Sequence, residues 1–196
     1  MMISLKNIII LLVFIIVSQF LVTFYLMEKF NCKITKDQYP EIYRNFDLAT
    51  IDEIEKLSEV VPGLFISSIS CMSDDILEEQ NIKNTISVTK NPPKVNNDKI
   101  NRMYILINDT HGENIDEYFD KAYDFIEKSL DKNEKVLVHC KIGMSRSATI
   151  IISYLMKKYN MTVDESLKYL KEKRSIIKPN SYFYRKLKLY EKKLKI

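Results

Sequence analysis

The sequence predicts an α/β fold: a central, mostly parallel sheet of about four or five strands flanked by helices, preceded by an N-terminal transmembrane helix. Three observations carry that reading. Val136-Leu137-Val138 is a short apolar run, mostly β-branched, of the kind that fills a strand buried on both faces. It passes through a tight loop into Ala148 to Met156, an apolar run of helical length with no breaker. Far upstream, Ile8 to Met27 is a 20-residue stretch without charge, long enough to cross a bilayer as a helix.

Residues 1–7 read as a tail, 8–27 as a transmembrane anchor, 28–57 as a linker and 58–196 as a catalytic domain. A cleavable signal peptide is the rival for the apolar stretch. Its core is normally shorter and ends at a small-residue site, and no such site is evident. Lys29, Lys33 and Lys36 follow the stretch and Lys6 precedes it, a bias that places the catalytic domain in the cytosol. A lumenal domain is the alternative. A reducing compartment also suits a reactive thiol. The linker is mixed and polar, with Pro40, and ends in a short helix around Ile51 to Leu57.

Within the domain, Pro62-Gly63 marks a turn before a strand over Leu64 to Ser67. Ser73 caps a helix through Gln80. Strands follow over Thr85 to Thr89 and Arg102 to Ile107, separated by the breaker Asn91-Pro92-Pro93. Asn114-x-x-Glu117 reads as a capping box for a helix to Leu130, with Phe119, Ala122 and Ile126 on its inner face. Ser145 to Tyr159 is apolar nearly all round, as a helix buried mid-domain should be. Thr162-x-x-Glu165 caps the next helix, and Pro179-Asn180 opens the last.

Charged residues are 29% and hydrophobic residues 46%, ordinary for globular material. Three cysteines, Cys32, Cys71 and Cys140, suggest neither a disulfide framework nor a zinc cluster. With only His111 and His139 available, no metal and no cofactor is expected. Net charge is +4, with the basic excess concentrated after Lys157. That surface is either a set of solvated helix faces or one that steers phosphorylated or membrane-bound substrates.

The loop Cys140-Lys141-Ile142-Gly143-Met144-Ser145-Arg146 suits an anion. It turns backbone N–H groups inward, and the following helix adds its positive end. Gly143 permits a tight turn. Arg146 can grip two phosphate oxygens with its planar fork. A free thiol has a pKa of about 8.5, and such surroundings lower it, giving a nucleophilic thiolate. Lys141, Ile142, Gly143, Met144, Ser145 and Arg146 are the expected phosphate-binding residues.

His139-Cys140-x-x-Gly143-x-Ser145-Arg146-Ser147 resembles the signature of the cysteine-dependent protein phosphatases, and Ser145-Arg146-Ser147-Ala148-Thr149 the dual-specificity subfamily in particular. The resemblance extends over about Ser58 to Ile196 and includes Tyr154-Leu155-Met156 and Arg174 to Asn180. It implies a phosphocysteine intermediate on Cys140 and Asp109 as the general acid from the loop after the third strand. It further implies that Ser147 helps the thiolate depart, that His139 orders the loop, and that Asn180 buttresses it. Lys141-Ile142 departs from the small residues common in that subfamily.

The leading expectation is a membrane-anchored phosphatase acting on phosphotyrosine and phosphoserine or phosphothreonine in proteins, with residues 8–27 as its contact to the membrane. Lys141, the basic C-terminal third and the anchor also fit a phosphoinositide or other phospholipid substrate. A nucleic-acid 5′-triphosphatase is a distant third, and no nucleic-acid partner is expected. A non-catalytic phosphate-binding module would need neither nucleophile nor acid.

Overall fold

The computed structural model describes residues 15–19, 32, 37 and 39–196. The chain divides after Asn31. Upstream of that point, residues 15–19 are described and helical.

The expected membrane-spanning helix is overturned. Among the described residues no helix is long and apolar enough to cross a membrane. The remainder of 8–27 lies outside the described residues. Single-pass membrane localisation and the membrane contact through residues 8–27 fall with the helix.

Downstream, α1 (Pro40–Asn45) and α2 (Leu48–Glu55) lead into the sheet. Asp47 caps α2, its carboxylate accepting the Thr50 N–H at 2.8 Å. The strands are β1 (Ser58–Val61), β2 (Leu64–Ser67), β3 (Ile82–Val88), β4 (Asn101–Ile105) and β5 (Lys135–His139). Their order is β1-β2-β5-β3-β4. β1 and β2 form an antiparallel hairpin and the remaining pairings are parallel, so the sheet is mixed. β1 is absent from the sequence-based expectation: Ser58-Glu59-Val60-Val61 has no turn signal before it, whereas β2, equally short, follows the Pro62-Gly63 turn.

Further helices are α3 (Asp74–Glu79), α4 (Phe119–Leu130), α5 (Arg146–Tyr159), α6 (Val163–Lys173) and α7 (Ser181–Leu194). Side chains alternate across the strands. Leu64, Ile66, Val136 and Val138 join the large core shared with α4 to α7, whereas Phe65 and Leu137 face α3. Helix α5 lies in that large core, buried from Arg146 to Met156. Thr162 and Glu165 form the expected capping box. Asn114 does not: its side chain makes no cap, a 3-10 turn fills Ile115–Tyr118, and α4 begins at Phe119.

The stretch expected as a linker therefore holds two helices. Ile42, Ile51 and Ile54 form a small core with Ile142 and Ile176 packed against it. A disulfide joins Cys32 to Cys71, contrary to the expectation from three scattered cysteines; their separation of 39 residues hides the proximity. Cys140 is the free cysteine.

Candidate active site

Three parallel strands set the floor of the site. Ser67 and Ser87 lie abreast of His139, the last residue of β5. The chain then leaves the sheet through Cys140 to Ser145 and enters α5 at Arg146. This is the carboxyl edge of the parallel strands, where ligands bind in open α/β sheets.

The loop holds its shape because its carbonyls are bound from outside. Lys141 O accepts the Ile69 N–H at 3.3 Å and Met144 O the Lys178 N–H at 2.9 Å. Ile142 O and Gly143 O accept from the Arg174 guanidinium at 3.2 and 3.0 Å. Ser145 O accepts the Thr149 N–H and hydroxyl, each at 2.8 Å. In a trans peptide the N–H opposes the C=O. Carbonyls drawn outward leave amides facing the centre, the arrangement that binds an oxyanion.

Gly143 sits at φ +75°, and a Cβ there would lie 2.6 Å from the backbone C and O of Ser67. Only glycine lets the loop approach the end of β2 this closely.

Cys140 is at the centre. Its Sγ accepts the Gly143 N–H and the Ser147 hydroxyl, both at 3.2 Å. Burial pushes the thiol up; the Arg146 charge and hydrogen bonds from Ser147 and Ile142 outweigh it, so the pKa falls below its ordinary value.

Arg146 is 8% exposed. One terminal nitrogen donates to Ile107 O at 3.2 Å, and Nε lies 3.8 Å from Asp109 Oδ2 without a hydrogen bond of its own. Asp109 is tied by its other oxygen: Oδ1 accepts from Ser145 Oγ and from Asn180 Nδ2, each at 2.7 Å. The Asn180 N–H in turn donates to Ser145 Oγ at 3.1 Å. Asn180 also caps α7 through Oδ1. The loop bearing Asp109 is thus latched to the phosphate loop and to the start of α7.

His139 is fully buried, with Nε2 2.7 Å from Ser87 Oγ. Burial, joined by the Arg146 charge and opposed by the Cys140 backbone, pulls it down to about 4, so the imidazole is neutral near pH 7. His111 lies outside this cluster, stacked on Tyr182.

The structure brings Cys140, Arg146, Asp109, Ser147, His139, Ser145 and Gly143 together at this edge of the sheet. Lys141 does not turn its ammonium inward; it pairs with Glu41 at 2.7 Å. Ile142 packs its side chain on the α1–α2 core and offers backbone alone.

Arg174 was not among the sequence-derived candidates. Its guanidinium is 0% exposed and also donates to Lys56 O at 2.8 Å and Ile54 O at 3.2 Å. Burial brings it down to about 10, against the charges of Glu53 and Cys140, so it stays a cation. In the sequence it is one more basic residue at the end of the charged run Lys171-Glu172-Lys173-Arg174, which does not single it out.

Residues 64–193 match the family model described as "Dual specificity phosphatase, catalytic domain". The chain belongs to the dual specificity phosphatase family. Among curated relatives, it is 38% identical over 140 residues to the "Tyrosine-protein phosphatase yvh1" of Schizosaccharomyces pombe, covering 71% of this chain and 42% of that protein. It is 31% identical over 172 residues to "Dual specificity protein phosphatase 1" of Arabidopsis thaliana, covering 87% and 86%. A crystal structure of the human "tyrosine phosphatase-like serine/threonine/tyrosine-interacting protein" superposes with a TM-score of 0.67 at 29% identity, over 71% of this chain and 98% of that one. The chain thus spans less than half of the yeast relative and most of the plant one.

Proposed function

We propose that this protein hydrolyses phosphotyrosine and phosphoserine or phosphothreonine in proteins, through a phosphocysteine intermediate. One observation carries the proposal: Cys140 Sγ accepts the Gly143 N–H and the Ser147 hydroxyl inside a ring of inward amides closed by Arg146.

Cys140 Sγ attacks phosphorus in line and the bond to the leaving oxygen breaks. The loop amides and Arg146 hold the charge on the three non-bridging oxygens. Arg146 Nε, 3.8 Å from Asp109 Oδ2, makes no hydrogen bond and can donate to one of them. Asp109 delivers a proton to the leaving oxygen. Its Oδ1 already accepts two hydrogen bonds, so Oδ2 is the oxygen that carries the proton.

Water then attacks phosphorus. Asp109, now a carboxylate, takes a proton from it, and the thiolate leaves. The Ser147 hydroxyl, aimed at Sγ, stabilises the departing sulfur. His139 holds the end of β5 against Ser87 and is a positioning residue. No step requires a metal or cofactor.

Lys141 does not argue for a phosphoinositide substrate once its ammonium is paired with Glu41. The test is Cys140→Ser. Turnover of phosphotyrosyl and phosphothreonyl peptides should vanish while binding persists; full activity in the variant refutes the nucleophile.

A further inference from the structure

Lys141 directly follows the nucleophile, so its ammonium lies at the rim of the phosphate loop. An uncompensated cation there would attract a second anionic group beside the scissile phosphate. In this chain the charge is compensated from α1. Glu41 Oε1 lies 2.7 Å from Lys141 Nζ, and both side chains are 44% exposed.

Helix α1 is held in place for this contact. Ile42 is buried beside Ile51 and Ile54, and Ile142 of the phosphate loop packs against the same cluster. Tyr39, which precedes α1, packs there too. Helix α2 is fastened to the loop independently: the buried Arg174 guanidinium donates to Ile54 O and Lys56 O on one side and to Ile142 O and Gly143 O on the other. Ser68 Oγ adds a bond to Ile54 O at 2.8 Å. Glu41 is therefore carried by a helix pair whose core includes a side chain of the loop itself.

We propose that Glu41 is a specificity-determining residue: by compensating Lys141 at the rim of the phosphate loop, it makes the site favour substrates with one phosphate over those with a second phosphate next to it. The inference rests on the phosphatase activity proposed above and specifies the charge of its substrate. It also gives Lys141-Ile142 a purpose, since both side chains contact the α1–α2 pair instead of the substrate phosphate.

The experiment uses the full chain and a matched pair of peptides, one with phosphotyrosine alone and one with an added phosphothreonine beside it. Glu41→Gln removes the compensating charge and leaves the buried contacts of α1 intact. The ratio of kcat/KM for the doubly over the singly phosphorylated peptide should rise about five-fold, through KM with kcat unchanged, and the gain should shrink at high salt. Adding Lys141→Met to Glu41→Gln should return the ratio to the wild-type value. An unchanged ratio in Glu41→Gln, or a gain that survives removal of Lys141, overturns the inference. Wild-type hydrolysis of the singly phosphorylated peptide separates the two claims. Its absence refutes the phosphatase activity itself; its presence with an unmoved ratio refutes only the role of Glu41.

Discussion

Replacing Arg174 by Met tests whether the shape of the phosphate loop comes from carbonyls bound at its back. The side chain fits the same buried volume but offers no donor. The change strands three carbonyls, those of Lys56, Ile142 and Gly143, and leaves Ile54 O with the Ser68 hydroxyl alone. A buried acceptor left without a partner costs about 1–3 kcal/mol. The three costs are not independent, and removing a buried cation recovers part of the desolvation penalty. A net loss of about 3–5 kcal/mol follows, or a fall in Tm of about 10 °C for a chain of this size. Two of the freed carbonyls belong to the phosphate loop. A shift of about 1 Å in a positioned group costs about a hundred-fold in rate. Steady-state hydrolysis of para-nitrophenyl phosphate, measured well below the lowered Tm, should show kcat reduced to that extent. Arg174→Lys keeps the charge but has fewer donors in a less suitable geometry, and should fall between the two. Wild-type kcat in Arg174→Met, with Tm moved by less than about 2 °C, would refute the idea that these bonds shape the loop.

Gly143→Ala puts a methyl 2.6 Å from the Ser67 backbone at a φ of +75°, so the loop must move away from β2; kcat/KM should drop at least about fifty-fold with Cys140 still present. Asp109→Asn should slow aryl phosphates with poor leaving groups far more than those with good ones, and a uniform loss counts against the acid role. His139 takes its proton near 6.5 when unfolded and only at about 4 when folded. Its contribution is therefore fully present above pH 6.5 and is lost as pH falls toward 4, by about 3 kcal/mol in all. Urea titrations across that window should show the loss in the wild type and a flatter profile in His139→Gln; identical profiles contradict a buried neutral imidazole.

The candidate loop from Cys140 to Ser147 is legible because its residues are contiguous. Cys140, Gly143, Arg146 and Ser147 lie within eight positions, and the strand before and helix after them have strong apolar patterns. Thr162 and Glu165 were legible for the same reason: a capping box is a local device. What escaped notice depends on distant partners. Nothing local to Arg174 announces that it reaches Ile54 O across a separation of 120 residues. Helix α1 has six residues, fewer than periodicity can register, and acquires its purpose from Ile142. Cys32 and Cys71 are 39 residues apart, and only the fold shows that they meet. The apolar stretch at 8–27 misled in the other direction. Composition permits a membrane helix there, yet no described helix has the required length.

The link between Asp109 and Asn180 falls between these cases. Each residue was singled out separately, one as an acid and one as a buttress of the loop. Their direct bond at 2.7 Å, with Ser145 beside it, joins the two residues in one hydrogen-bonded arrangement.

The central claim is that Cys140 Sγ carries the phosphoryl group during turnover. Rapid acid quenching of the enzyme with a phosphotyrosyl peptide, followed by mass spectrometry of the fragment containing Cys140, addresses it most directly. A phosphoryl adduct on Cys140 that forms and decays at rates compatible with kcat, and is absent in Cys140→Ser, is the expected result. Undiminished turnover with no adduct on that sulfur, or an adduct on another residue, contradicts it.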